Sequence, residues 1–132
     1  MAWIGNYDEL SALIIGAAIE VHRELGPGLL EGIYEDCLHY ELRERGVRVQ
    51  RQQPVQVIYK GRPLDHAYRV DLLVEGMIVV ELKAVDAMHD VHLAQLLSYL
   101  KLTNCRLGLL INFNQETLVQ GLRRVANGLN EE

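Results

Sequence analysis

The chain has 132 residues, 49% apolar and 23% charged, with three prolines and two cysteines. That length suits one domain, 1–132, able to bury a core without disulfide or metal staples. A net charge of −5, from 13 basic and 18 acidic residues, argues against a passive nucleic-acid coat, though not against an enzyme whose acidic site takes divalent cations.

Residues 6–9, Asn-Tyr-Asp-Glu, offer a cap and first-turn acids. Leu10, Leu13, Ile14, Ala17, Val21 and Leu25 then recur at helical spacing. The apolar part is short, broken by Ser11 and Gly16 and followed by Glu20, His22, Arg23 and Glu24, so neither a membrane span nor a secretory leader is expected. Gly26-Pro27-Gly28 stops this helix, and a second runs over 30–45 with Ile33, Cys37, Leu38 and Leu42 inside and Gly46 beyond its end. Residues 47–59 alternate as a strand in which Pro54 suggests a bulge or an edge. After a turn at 60–63, alternation resumes at Tyr68, Val70, Leu72 and Val74. A tight turn at Glu75-Gly76 leads into 77–85, MIVVELKAV, so these three strands form an antiparallel meander. A third helix is predicted over 87–102, and a strand over 105–112 that is apolar enough to be buried on both faces. The intervening helix makes the last two strands parallel. A final helix over 117–125 and a polar tail ending in 130–132 complete an α/β fold with a mixed four-stranded sheet. Cys37 and Cys105 lie in different elements without metal-ligand spacing, as expected of reduced thiols in a cytoplasmic protein.

The chemistry concentrates where charge interrupts apolar strands. Side chains two residues apart share a face, so Glu81 and Lys83 project together from a central strand. Asp71 is an acid inside the preceding strand. A two-residue turn at Glu75-Gly76 sets Asp71 opposite residue 80, and a one-residue shift would bring Asp71 and Glu81 onto one face. Two carboxylates with waters, and the backbone carbonyl of Leu82, suit Mg²⁺ or Mn²⁺. Lys83 could then hold a phosphate or orient a water, the parts that metal-assisted phosphodiester hydrolysis needs. The structural alternative is an ion pair at a sheet end. His92, Gln95 and Tyr99 share one face of the third helix, and Glu31 and Tyr34 lie in the first turn of the second. A half-exposed helix face and a dipole-favoured first-turn acid explain these as well. The five histidines show no zinc-protease spacing, and Gly26-Pro27-Gly28 lacks the surroundings of a phosphate loop.

Gly28-x-x-Glu31-x-x-Tyr34 resembles the signature of the GxxExxY proteins, as do AIEVHRELGPGLLEGIYE, YRVDLLVEGMIVVELKAV and HLAQLLSYLKLTNCRLGLLINF, which carry the resemblance over 7–129. That family is similar to the PD-(D/E)xK nuclease superfamily, with a restriction-endonuclease-like αβββαβ core, here extended by an N-terminal and a C-terminal helix. The resemblance implies Asp71 as the second-strand acid, Glu81-Leu82-Lys83 as the E-x-K and Gln95 as the helix glutamine. It also implies Glu31 as a candidate third metal acid. Gly28, Tyr34, His92 and Tyr99 match motif positions without an assigned role. Val70 stands where the superfamily name has proline. The expected activity is Mg²⁺- or Mn²⁺-dependent hydrolysis of nucleic acid, DNA rather than RNA, with no membrane partner and with a homodimer or protein partner in prospect. The alternatives are a non-catalytic nucleic-acid-binding or assembly module on the same fold, and hydrolysis of a small phosphoester.

Overall fold

The computed structural model describes residues 3–128, except for the side chains of 65–67; the polar end at 130–132 lies outside the described residues. Helix α1 (Tyr7–Leu25) begins where Asn6 Oδ1 accepts from the Glu9 N–H at 2.8 Å, and it ends at Gly26. Helix α2 (Glu31–Glu44) ends in paired backbone bonds, Gly46 N to Arg43 O and Val47 N to Leu42 O, with Gly46 at φ 83°. Strands β1 (Val49–Tyr59), β2 (Arg62–Val74) and β3 (Ile78–Lys83) form the expected antiparallel meander. Helix α3 (Asp90–Thr103) carries the chain across to β4 (Leu107–Asn112), which pairs parallel with β3. No helix among the described residues is long and apolar enough to cross a membrane.

The C-terminal segment corrects the sequence reading. In place of a helix over 117–125 there is one 3-10 turn (Val119–Gly121) and then strand β5 (Leu122–Ala126), antiparallel to β4. The sheet therefore has five strands in the order β1-β2-β3-β4-β5, not four. Helical spacing of Leu118, Leu122 and Val125 was a weak local signal, since so short a helix containing Gly121 is marginal alone. Pairing with β4 satisfies an edge that would otherwise present bare N–H and C=O groups.

Two apolar layers flank the sheet. Leu10, Ile14, Ala17 and Val21 of α1 and Tyr34, Leu38 and Leu42 of α2 pack on Leu72, Val80, Leu82, Leu109 and Ile111. On the other face Leu96, Tyr99 and Leu100 of α3 pack on Val55, Val70, Val79 and Leu110. Both faces of β3 and β4 are thus covered, which accounts for their nearly unbroken apolar runs. A Cβ on Gly108 would lie 2.8 Å from Leu96 Cδ1, so the absent side chain lets α3 sit close to β4.

Glu75 ties the β2–β3 turn to β1. Its buried carboxylate accepts from Arg48 N at 2.6 Å, Arg48 Nε at 3.2 Å and Trp3 N at 3.2 Å. Burial pushes its pKa up, but the hydrogen bonds from Arg48 and Trp3 outweigh it and leave the carboxyl below its ordinary range. Glu75→Gln is therefore expected to cost about 1–3 kcal/mol at neutral pH in urea unfolding. Because the folded state depresses this pKa, the difference should narrow as pH falls through the carboxylate range.

Candidate active site

The site forms where β2 and β3 part. The turn between them closes with Met77 N donating to Val74 O at 2.9 Å, with Glu75 at φ 55° and Gly76 at φ 66°. Val74 then pairs with Ile78, Leu73 with Val79 and Leu72 with Val80. Met77 is one residue more than the two-residue turn read from the sequence. The register shifts accordingly, and Asp71 comes opposite Glu81 rather than residue 80. Past Leu72 the backbone ladder stops and side chains take its place. Asp71 N donates to Glu81 Oε2 at 3.2 Å, and Leu82 N donates to Asp71 Oδ2 at 2.8 Å. The strands fork, and both carboxylates sit in the opening.

The β1–β2 pair changes face at this point. Leu72 packs in the α1/α2 layer, whereas Val70, two residues earlier, packs in the α3 layer. Strict alternation forbids this, so the backbone must be irregular between them. Gln52, opposite Asp71 in the β1–β2 register, adopts φ 49°, a left-handed conformation unusual for a residue within a strand. Its amide then donates to Glu35 Oε1 at 2.7 Å and Asp71 Oδ1 at 3.2 Å. Glu35 is held in turn by Arg51 Nη2 at 3.0 Å, and Arg51 also pairs with Asp36. Asp71 is thus oriented from β3 by one oxygen and from β1 by the other.

Helix α2 brings the third acid. Gly28 is at φ 100°, a conformation that a side chain disfavours. The Tyr34 hydroxyl donates to Gly26 O at 2.6 Å and accepts from Leu29 N at 3.1 Å. Its fully buried ring stacks on Phe113 at 4.5 Å and 12°. The GxxExxY spacing therefore has a physical sense. Gly28 makes the turn, Tyr34 clamps it from one helical turn inside, and Glu31 emerges between them as the first residue of α2.

Charge at the fork is crowded. Glu81 is 7% exposed. Burial first, then the hydrogen bond and the charge of Asp71, push its carboxyl up to about 9 against the opposing pull of the Asp71 N–H and Lys83. Desolvation and the charge of Asp71 also raise Glu31, with Lys83 opposing. Lys83 is half-buried at the end of β3, where its carbonyl accepts from Phe113 N at 2.9 Å. The fully buried Asn112 amide locks the next turn by accepting from Val85 N at 3.1 Å and donating to Val85 O at 2.9 Å. On α3, desolvation and then Lys83 lower the His92 pKa; burial and then Glu81 raise that of Tyr99. Gln95 lies between them on that side of the helix, exposed and without a side-chain hydrogen bond among the described residues.

The donor set fits a hard divalent cation. Asp71 and Glu81 are carboxylates within hydrogen-bonding reach of each other, and a dication between them would offset the burial and the Asp71 charge that together raise the Glu81 pKa. Among the described residues no three of His, Cys, Asp and Glu are gathered as a ready-made metal cluster, so Glu31 stands within electrostatic reach rather than in the same group. Two carboxylates completed by water is a usual Mg²⁺ arrangement.

A family model described as the PD-(D/E)XK nuclease superfamily matches residues 8–125. The chain belongs to that superfamily. No curated protein and no solved structure matches it. PD-(D/E)XK proteins are generally nucleases that typically use divalent metals, which makes nucleic acid the expected class of partner. The α-β-β-β-α-β order agrees with the superfamily fold. Of the residues singled out in the sequence, the fold brings Asp71 and Lys83 within electrostatic reach of both Glu81 and Glu31, and Tyr99 within reach of Glu81 and Asp71. Sequence reading missed Gln52, Glu35 and Asn112. Asn112 did leave a signal, as a polar residue closing an apolar strand, whereas Gln52 is legible only through the strand register.

Tyr34→Phe leaves Gly26 O and Leu29 N without their partner and is expected to cost about 1–3 kcal/mol in denaturant unfolding. In the metal-free protein, the folded state holds a proton on Glu81 that the unfolded chain releases. Its stability therefore falls as pH rises from the ordinary carboxylate range towards 9. Glu81→Gln should remove that dependence and raise the melting temperature in EDTA at pH 8 by at least about 3 °C.

Proposed function

We propose that this protein is a metal-dependent nuclease that hydrolyses phosphodiester bonds, with DNA as its substrate. The single observation that carries the reading is the fork itself. Asp71 and Glu81 face each other where the β2–β3 ladder ends, and Lys83 follows on the Glu81 side of β3. An inert sheet end has no need to oppose a buried acid with a half-buried one, and ion pairing does not explain them. Among the described residues neither Asp71, Glu81 nor Lys83 is in a salt bridge within 4 Å.

In this reading Asp71 and Glu81 hold Mg²⁺ or Mn²⁺, with the Leu82 carbonyl as a further oxygen and Glu31 as the acid nearest to completing the shell. A bound divalent cation supplies Lewis acidity and lowers the pKa of water at the site. Lys83 places positive charge against the phosphoryl oxygens as negative charge builds up on them. Gln52 and the Leu82 N–H hold the Asp71 carboxylate in one orientation, so less is lost in ordering it when the cation arrives. Gln95, on the α3 face shared with His92 and Tyr99, orients Lys83 or the substrate. The closer placement among the GxxExxY proteins rests on the joint use of Gly28, Glu31 and Tyr34, and the reduced cysteines go with a cytoplasmic protein.

A passive binding module is less well supported. The densest basic group of the sequence is largely neutralised: Arg45 pairs with Glu41, Arg48 with Glu75, and Arg51 with Glu35 and Asp36. Such arginines build the fold more than they grip phosphate.

Labelled DNA incubated with Mn²⁺ is expected to be cut by the wild type and left intact in EDTA. Lys83→Ala should lower the rate by at least about 100-fold, while titration calorimetry still shows Mn²⁺ binding. Asp71→Asn should lose both. Cleavage by Lys83→Ala at the wild-type rate would remove Lys83 from the mechanism, and absence of Mn²⁺ binding by the wild type would favour the non-catalytic module.

A further inference from the structure

Beyond the fork, β1 and β2 continue as a two-stranded arm with β1 at the edge of the sheet. The arm differs from the rest of the chain in charge. Residues 53–70 carry Lys60, Arg62 and Arg69 against one acid, Asp65, within a protein of net charge −5. Among the described residues none of the three cations pairs with a carboxylate. The arm also exposes aromatic surface, with Tyr59 59% and Tyr68 51% accessible.

Tyr68 stands three residues from Asp71 and shares the α3-facing side of β2 with Val70. Its ring leans on that of Tyr99, with centroids 5.4 Å apart and planes at 52°. Tyr99 is buried and within electrostatic reach of both Glu81 and Asp71. An exposed ring is thus braced by a buried one at the rim of the carboxylate pair, and farther along the arm lie Arg62 and, 5.4 Å over the Tyr59 ring, Lys60, neither paired with a carboxylate among the described residues. A duplex keeps its bases stacked inside and offers such a ring only sugar and phosphate. A single strand offers an unstacked base face beside each phosphate, and base–aromatic stacking tolerates any sequence.

Resting on the nuclease reading above, we propose that Tyr68, braced by Tyr99, stacks an unpaired base next to the scissile phosphate while Lys60 and Arg62 follow the strand along the arm. The substrate is then single-stranded nucleic acid. Arg69, which alternation places on the opposite side of β2, donates from Nη1 to Gln52 O at 3.3 Å and so joins the arm to the residue that holds Asp71.

Fluorescence anisotropy with the full chain in EDTA, where strands stay intact, separates the possibilities. The probes are short end-labelled single-stranded DNA, single-stranded RNA and a blunt DNA duplex, with wild type, Tyr68→Ala and Tyr68→Phe. At least one single strand is expected to bind about tenfold or more tightly than the duplex. Tyr68→Ala should weaken single-strand binding by about 5–100-fold, and Tyr68→Phe by no more than about twofold, with duplex affinity unmoved. Should Tyr68→Ala lose its circular-dichroism melting transition, a Lys60→Gln/Arg62→Gln variant serves instead. Its salt dependence for single strands should fall by about 0.7 per charge removed. Duplex binding as tight as single-strand binding, or single-strand affinity indifferent to Tyr68, overturns this inference and leaves the nuclease reading standing. Failure of the wild type to bind any of the three probes likewise overturns this inference, whereas the nuclease reading stands or falls on Mn²⁺-dependent cleavage.

Discussion

The rest of the site depends on the replacement of two ladder hydrogen bonds by two carboxylates. In a continuous antiparallel pair, Leu82 N would donate to a backbone carbonyl of β2 and Asp71 N to one of β1, since the backbone of Lys83, and so of Glu81, turns to β4. Here Glu81 takes the Asp71 N–H and Asp71 takes the Leu82 N–H, so the acids are bound into the backbone of the opposite strand. The arrangement satisfies the amides freed by the parting strands, which would otherwise be costly to bury. It also fixes both carboxyl groups with little rotamer freedom left. The cost is electrostatic: two acids in a mostly buried opening cannot both ionise easily, and Glu81 carries that cost as a strongly raised pKa. A divalent cation is the partner that would remove it.

Around this fork each neighbouring element contributes one constraint. Strand β1 contributes Gln52, whose left-handed backbone turns its amide towards Asp71 and Glu35. Helix α2 contributes Glu31, placed by a loop that Tyr34 clamps and Phe113 supports. The end of β4 contributes Asn112, which pins the chain just after Lys83. Strain and buried polar groups gather here, while the two apolar layers on either side are ordinary close packing. This contrast distinguishes a site from a merely charged sheet end.

The arginines show why composition is a poor guide to a binding surface. Counted along the chain, 43, 45, 48 and 51 form the basic cluster, yet Arg45, Arg48 and Arg51 are committed to Glu41, Glu75, Glu35 and Asp36. Cations without such partners among the described residues lie on the β1–β2 arm, where the sequence shows only a turn and scattered charge. Pairing, rather than density, decides which positive charge is available to a phosphate.

Local chemistry made much of this legible in advance. Alternation in MIVVELKAV was enough to set Glu81 and Lys83 on one side of a strand, and the 3.6-residue period was enough to outline α1, α2 and α3. Both are short-range properties, settled by residues a few positions apart. Three features were not. The direct opposition of Asp71 and Glu81 came from one extra residue, Met77, in a turn whose register no local pattern specifies. The partnership of Gln52 with Asp71 and Glu35 joins residues 19 and 17 positions apart. The C-terminal segment has helical spacing but became β5, because the open edge of β4 supplied hydrogen bonds that outweighed a weak helical preference. Sequence by itself outlined every element but the last and singled out the charged side chains that gather at the fork. Tertiary structure decided how they meet, because register and edge pairing are properties of two strands together and are written in neither one alone.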